Sequence, residues 1–303
     1  MDTFIGCETG FVKGVNSLSA AIKNLFKPDP PHRKNNSIAC IQWMCKNNQI
    51  SYGTKGGLMY TLNLDNEQVR KTGTNRTDTE MVSFHTSSKK NVILFNNSLE
   101  VWKKNILLNS IKLKKKCKTL KYINKTEFAV AGIDYPMQIW DINTSQCVYS
   151  TKNLPDDWLN LKVDSKIYSI DSINADIFVS NNGNIYSYTK LNLKPNLCIN
   201  IMDSKNLITK IKISQDRSKI IYGDVVGNVG VIDIRKPNLL LHKFEGGVTS
   251  ITDIKLCEDI IVVSSLDRYV RFYEIGQKKF MQKIYTKSKP LSIYCTDTCL
   301  LRS

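Results

Sequence analysis

The sequence predicts an all-β fold built from one four-stranded unit repeated seven times and closed into a ring. Three observations predict it. Short apolar strands recur, each followed by a tight turn with Gly, Asn or Asp and then by a second strand, often with an aromatic residue. The recurrence is even along all 303 residues. The two ends of the chain carry complementary fragments of one unit.

The pairs run in order. Phe4-Ile5-Gly6 turns into Phe11-Val12-Lys13-Gly14, and Ile50-Ser51-Tyr52-Gly53 into Leu58-Met59-Tyr60-Thr61. Val92 to Phe95 leads to Leu99 to Trp102, and Phe128 to Gly132 leads to Met137-Gln138-Ile139-Trp140-Asp141-Ile142. Ile177 to Ser180 leads to Ile185 to Tyr188, Ile220 to Gly223 to Val229 to Ile234, and Ile261 to Ser264 to Val270 to Ile275. The second members begin at positions 11, 58, 99, 137, 185, 229 and 270. A spacing of about 40 to 45 residues with four short strands per unit is the mark of WD40-type blades. Seven units close a ring, so the prediction is a single domain over 1–303, a seven-bladed WD40-type β-propeller. Leu291 to Cys295 reads as an innermost strand without successors, and Phe4 to Asn16 as a second and third strand without a predecessor. Together they complete a closing blade shared between the N- and C-termini. Leu18, Ala21, Ile22 and Leu25 have helical spacing, so this segment reads either as a short helix or as the outer strand of that blade.

Composition bounds the function. Lys plus Arg is 43 against 27 for Asp plus Glu, a net charge of +16, which favours polyanionic partners. Lysine supplies most of it, and the many asparagines beside it also fit an AT-rich genome. The first residues lack a basic region followed by an apolar one, so no secretory signal is expected, and no apolar run is long enough to span a bilayer. The nine cysteines then read as free thiols in a reducing compartment.

Catalysis finds no support. His32, His85 and His242 read as loop or surface residues, with no partner at metal-ligand spacing. Cys40 with Cys45, and Cys295 with Cys299, are neither Cys-x-x-Cys nor half of a zinc site. No nucleotide-binding or nucleophile-elbow motif occurs. The expectation is a non-enzyme with no cofactor, no metal, no small-molecule substrate and no membrane partner.

Two segments carry candidate contacts. From Val101 to Thr126 there are nine lysines and no acid. Lys114, Lys115, Lys116 and Lys118 fall between one blade's outer strand and the next blade's inner strand, where clustered ammonium groups contact phosphates without reading bases. Asp157 and Trp158, within Pro155 to Lys162, form either an exposed anchor for a partner protein or a Trp tucked under a loop. In the turn Leu266-Asp267-Arg268-Tyr269, Asp267 is assigned a structural hydrogen-bonding role, and Arg268 either braces the turn or faces a ligand.

These segments resemble the nucleolar WD-repeat ribosome-biogenesis factors, the family that includes WD repeat-containing protein seventy-four. Gly6-Cys7-Glu8-Thr9-Gly10-Phe11-Val12-Lys13-Gly14 is similar to the family's opening motif, and Met137 to Ile142 to its well-formed Trp-Asp repeat. Asp157-Trp158-Leu159-Asn160-Leu161-Lys162-Val163 resembles a segment that generic WD40 repeats lack. Gly227-Asn228-Val229, Ile232 to Arg235, Ser265 to Arg271 and Lys283 to Ser288 follow in the family's order. The resemblance implies a non-catalytic scaffold in assembly of the large (60S) ribosomal subunit, sited in the nucleolus or nucleus. It implies binding to pre-ribosomal RNA and to other assembly factors, and release by an AAA-type ATPase. On this reading partner contacts are expected at Asp157, Trp158, Arg235 and Arg268, and weaker ones at Glu8, Thr9 and Lys13, whose other role is blade closure. Family members carry a Lys/Arg-rich tail after the propeller, whereas this sequence ends at Ser303. The rival reading is a peptide-binding WD40 adaptor, such as a ubiquitin-ligase substrate receptor or a reader of modified tails. It predicts a compact acidic or aromatic pocket at the ring's central opening.

Overall fold

The computed structural model describes residues 2–28, 34–44, 48–72, 79–87, 90–152, 154, 165–201, 206–237 and 239–296. Among these residues, twenty-eight strands form seven four-stranded antiparallel sheets. The N-terminal segment contributes β1 (Thr3–Cys7), β2 (Val12–Val15) and β3 (Ile22–Phe26). The next sheet is β4 (Ile38–Met44), β5 (Gln49–Thr54), β6 (Met59–Asn63) and β7 (Val69–Lys71). Then come β8 (Met81–Thr86), β9 (Asn91–Phe95), β10 (Ser98–Lys103) and β11 (Ile106–Lys112). The fourth sheet is β12 (Cys117–Tyr122), β13 (Glu127–Gly132), β14 (Tyr135–Asp141) and β15 (Gln146–Ser150). The fifth is β16 (Ile167–Ile173), β17 (Asp176–Asn181), β18 (Asn184–Tyr188) and β19 (Leu197–Asn200). The sixth is β20 (Ile208–Ile213), β21 (Lys219–Asp224), β22 (Val229–Asp233) and β23 (Leu240–Phe244). The seventh is β24 (Ile251–Cys257), β25 (Ile260–Ser265), β26 (Tyr269–Glu274) and β27 (Phe280–Tyr285). The last strand, β28 (Pro290–Cys295), joins the first three in the order β28-β1-β2-β3.

The innermost strands touch in sequence around a ring, from β4 to β8, β12, β16, β20, β24, β28 and back to β4. This is a seven-bladed propeller whose closing blade takes strands from both termini. In that blade Thr3 pairs with Cys295, Phe4 with Tyr294 and Ile5 with Ile293. The segment around Ile22 is a strand, not a helix: β3 pairs with β2 from Val15↔Ile22 to Val12↔Phe26. Its Ile22, Lys23 and Asn24 are exposed, so the outer edge imposes no inward-facing alternation, and apolar spacing alone misreads it.

Every inner strand carries a β-bulge at its second residue. The register slips between Ile38 and Cys40, Met81 and Ser83, Cys117 and Thr119, Ile167 and Ser169, Ile208 and Lys210, and Ile251 and Asp253. In β28 the extra residue is Leu291, opposite Gly6 and Cys7. A bulge bends and twists a strand. Repeated seven times at one place, it gives the first and fourth residues to the apolar layers between blades, and the third and fifth to the axis.

Those layers are the core. Ile5, Val262, Val270, Phe272 and Ile293 fill the gap beside the closing blade, and Phe4, Ile38, Ile41, Tyr52 and Leu62 fill the gap on its other side. Each such side chain contributes about 1.5–3 kcal/mol when fully buried. Stacked rings continue the second layer, with Trp43 lying 5.5 Å from Phe4 and 6.4 Å from Tyr294 between ring centroids.

Asp267 has the structural role expected of it. It accepts from the Ser265 hydroxyl, from the Tyr269 backbone N–H at 3.0 Å and from the Arg271 guanidinium. Arg271 is among the largest fully buried side chains and also donates to the Ser265 hydroxyl at 2.8 Å. Asp267→Ala therefore leaves a buried cation without its anion. It is expected to cost about 3–5 kcal/mol in urea unfolding, and Arg271→Met on top of it should recover a large part of that loss.

Candidate functional site

The propeller has two faces and an axis. One face, called upper here, carries the turns between second and third strands together with the connections between blades. Hydrogen bonds tie the two sets: Leu113 N to Asn97 O, Leu266 N to Ser250 O and Val225 N to Leu207 O. The lower face carries the remaining turns, joined by pairs such as Ile142 N to Thr126 O and Ile234 N to Ser218 O.

The lysine segment lies on the upper face. Buried Leu113 and Cys117 pin it, and their backbone N–H groups donate to Asn97 O and Asn96 O, each at 2.8 Å. Between these anchors Lys114, Lys115 and Lys116 are all exposed. Lys118 is exposed as well, but it sits in β12 as that strand's bulged residue. Among the described residues none of the four has an ion-pair partner. Burial pushes the Cys117 thiol up to about 12, so it acts as an apolar anchor and not as a nucleophile.

Arg268 is exposed on the same face, nearly across the ring, with φ of 70°. The equivalent turn positions in other blades hold Gly10, Gly57, Asp134, Asn182 and Gly227, all at positive φ. Glycine takes that conformation freely, while a residue with a long side chain costs about 1–2 kcal/mol there. Arg268 O accepts from the Thr286 backbone and hydroxyl, each at 2.8 Å. Glu8 and Thr9 lie close by, in the β1–β2 turn. The Glu8 carboxylate is 3.4 Å from Lys289 Nζ, and the buried Thr9 hydroxyl has no hydrogen-bond partner among the described residues. Lys13 is buried. Its ammonium donates to Thr286 O at 2.5 Å and stands 5.8 Å from the Phe11 ring, so it braces the closing blade against its neighbour.

Arg235 is on the lower face, in the β22–β23 turn. Its side chain is 75% exposed, and its Nε and Nη2 each lie 3.1 Å from Asp233. The Arg235 fork holds the Asp233 carboxyl below the usual carboxylate range. The structure thus puts Lys114–Lys118, Arg268, Glu8 and Thr9 on one face and Arg235 on the other. Asp157 and Trp158 lie outside the described residues, as do His32, Cys45 and Cys299.

The axis holds what the sequence reading missed. The third and fifth residues of all seven inner strands line one central cavity of about 340 Å³. The fifth-residue tier is Gln42, His85, Lys121, Asp171, Lys212, Lys255 and Tyr294. Side chains in the two tiers stitch blade to blade. Gln42 accepts from Thr86 N at 2.8 Å, Asp171 from Ile213 N at 2.9 Å and Asp253 from Ile293 N at 3.0 Å. His85 is not a loop residue. It sits in β8, its ring stacked 4.5 Å from Tyr122, and burial with Lys121 nearby lowers it to about 4, so it is neutral. The signal was present as Lys210-x-Lys212 and Asp253-x-Lys255, but it means little until the ring superimposes the strands. Among the described residues no three of His, Cys, Asp and Glu are placed to hold a metal ion.

The cavity's charges are uneven. Asp171 Oδ1 is 2.5 Å from Lys121 Nζ, and its Oδ2 is 3.3 Å from Lys212 Nζ. Asp253 has Lys210 at 3.8 Å and Lys255 at 3.9 Å. Burial alone raises both carboxyls; Lys212 with Lys121, and Lys255 with Lys210, reverse that and leave them below the ordinary value. Lys212 goes the other way. Burial lowers it to about 8, with Asp171 opposing and Lys121 and Lys255 adding.

With this geometry in view, comparison with known proteins places the fold. No family model matches the chain. A WD repeat-containing protein of Dictyostelium discoideum is 27% identical over 169 residues, which is 54% of this chain and 33% of that protein. The chain thus matches about a third of that relative's length. The crystal structure of the computationally designed Ika8 protein superimposes with a TM-score of 0.68 at 15% identity, covering 95% of this chain and 86% of that one. The likeness to Ika8 shows the fold alone, and the WD-repeat match is a partial similarity over about half of this chain.

The pH dependence of stability follows from the axis. Asp171 and Asp253 have lowered folded values, so their contribution is present above the unfolded carboxyl value of about 4 and is lost as pH falls through the folded ones. Lys212 titrates at about 8 when folded and about 10.4 when unfolded. Between those values the unfolded chain binds more protons, so stability rises with pH. Lys212 alone therefore adds stability from about pH 8 to 10, while the buried thiols of Cys7 and Cys117, raised above the ordinary value, lose it over the upper part of that range. The urea midpoint of the parent relative to that of Lys212→Met should thus rise from about pH 8 to 10.

Proposed function

We propose that this propeller is a non-catalytic interaction scaffold that works on a ribonucleoprotein particle, with the lysine-bearing upper face against RNA phosphates. The observation that carries the reading is the loop at Lys114, Lys115 and Lys116: three consecutive exposed ammonium groups, pinned at both ends and without ion-pair partners among the described residues. Such a loop suits phosphate contacts that position a protein without reading sequence. Lys118 extends the same patch toward the axis. Arg268 stands in a backbone conformation that costs energy, which is common where a side chain serves contact more than stability. Arg235, on the opposite face, leaves room for a second partner.

The particle we favour is an early precursor of the large ribosomal subunit in the nucleolus. The motif resemblance from Gly6 to Gly14 and from Asp157 to Val163, with the +16 charge, supports that choice. On this reading other assembly factors contact the propeller, Asp157 and Trp158 included, and an AAA-type ATPase releases it. The adaptor reading is less favoured, because lysines outnumber the two aspartates along the central cavity, whose walls also carry His85, Tyr122 and Tyr294.

Affinity purification from native cells, with the RNA and proteins both identified, tests the assignment. The expected yield is large-subunit precursor RNA with assembly factors; cullin-type ligase subunits or histone modifiers without that RNA would reverse it. Replacing Lys114, Lys115, Lys116 and Lys118 with Glu should weaken particle association. It should also lower the slope of log affinity against log salt by about 3, since each phosphate contact contributes about 0.7–0.9.

A further inference from the structure

The four lysines of the axial tiers are not explained by the two carboxylates beside them. Asp171 and Asp253 are nearly buried, with side-chain exposures of 5% and 11%, and backbone donors already hold them. Ile213 N reaches Asp171, while Ile293 N and Ile254 N reach Asp253 at 3.0 and 3.1 Å. The lysines stand further out: Lys121, Lys210, Lys212 and Lys255 keep exposures of 27%, 39%, 29% and 31%. At 3.8 and 3.9 Å, Lys210 and Lys255 sit too far from Asp253 to hydrogen-bond it. Neither donates to any described residue.

The four tier lysines, with Lys118 also on the wall, thus share two anions inside one cavity of about 340 Å³, within the size range of small-ligand sites. Low-dielectric walls and a surplus of one sign focus the field in such a space. Burial lowers Lys212 most and Asp171 opposes it, with a smaller repulsion from Lys121 and Lys255, whereas Asp253 raises Lys255. An anion between the ammonium groups would remove the repulsion and fill donors that stand empty.

We propose that the axial cavity binds a compact, multiply charged phosphate compound, held by Lys210 and Lys255 with Lys121 and Lys212 flanking. The site is separate from the loop at Lys114–Lys116 and does not depend on the reading of that loop. Every lysine of the two tiers springs from a strand of the inner ring, which brings the ammonium groups to one space, and their flexible stems let them close on an anion. An anionic ligand also accounts for two lysines in Lys210-Ile211-Lys212 on one inner strand, where Asp171 and Asp253 already have Lys121 and Lys255 beside them. The same phosphate chemistry could arrive as a free small molecule or as phosphoserines on a protein; the crowding of the lysines into one space of about 340 Å³ favours the compact free molecule.

The test is titration of the full chain with sodium tripolyphosphate at constant ionic strength, read by calorimetry and by the melting temperature. Binding should raise the melting temperature in step with concentration. Lys210→Gln with Lys255→Gln should weaken binding at least tenfold, while Lys114→Gln, Lys115→Gln and Lys116→Gln together leave it within twofold. Lys210→Gln alone, at the most exposed of the four, should weaken binding at least threefold, and it decides the matter if the double variant loses its cooperative melt. A doubly phosphorylated serine peptide of matched charge should bind more weakly than tripolyphosphate. The proposal is overturned by no heat and no melting shift with tripolyphosphate, by unchanged affinity in a folded channel variant, by loss of binding in the loop variant, or by tighter binding of the peptide.

Discussion

Closure of the ring is the constraint on which the rest of this molecule depends. β28 and β1 come from opposite ends of the chain and pair over Thr3↔Cys295 to Gly6↔Ser292. Without that ladder the innermost strand of the closing blade is missing, and β4 and β24 lose their common neighbour. The apolar layers on both sides open with it, since Phe4, Ile5 and Ile293 belong to them. Two further contacts reinforce the seam. Lys13 reaches Thr286 O, and Asp2 accepts from Ser17 N at 3.0 Å while its own carbonyl accepts from Thr296 N at 2.8 Å.

Closure also creates the axis. A bulge at the second residue of each inner strand is a local event in one β-pair. Seven of them, at one height, turn the third and fifth residues toward a common cavity, so side chains far apart in sequence become neighbours. Lys121 and Lys212 meet at Asp171, and Lys210 and Lys255 meet at Asp253. Polar side chains bridge adjacent blades there, which makes the axis both a structural seam and a charged site. The upper face follows from the same closure: the connections between blades must return over it, which is why the loop at Lys114 rests on the Asn96–Asn97 turn.

Much of this was legible in the sequence. Even spacing of strand pairs is a one-dimensional signal, and the fragments Phe4 to Asn16 and Leu291 to Cys295 each lack the strands the other supplies, which is the mark of a shared blade. The turn at Asp267 was legible because a short acidic side chain between two strands has few other uses. The outer strand β3 was not settled, because an exposed edge carries no alternation to distinguish strand from helix. His85 was misplaced for a different reason: a single His in a short strand does not reveal that Tyr122, from the next blade, will lie against it. The axial lysines were invisible for the same reason, as each strand contributes only one or two. Of the candidate contacts, the loop lysines and Arg268 are exposed, while Lys13, ranked below Arg268 because blade closure is its other role, is buried in the seam; sequence did not separate it from Glu8, which is exposed in the same motif.

Hydrogen exchange of the β28 and β1 amides at native pH tests ring closure most directly. If both termini are locked into one blade, the amides of Ser292, Tyr294 and Thr296, which face β1, should exchange only through global unfolding, with the same free energy as those of β1 and of the inner strand β24. Fast exchange in β28, with β24 still protected, would mean that the ring stands open at this seam, and the account of both the axis and the upper face would fall with it.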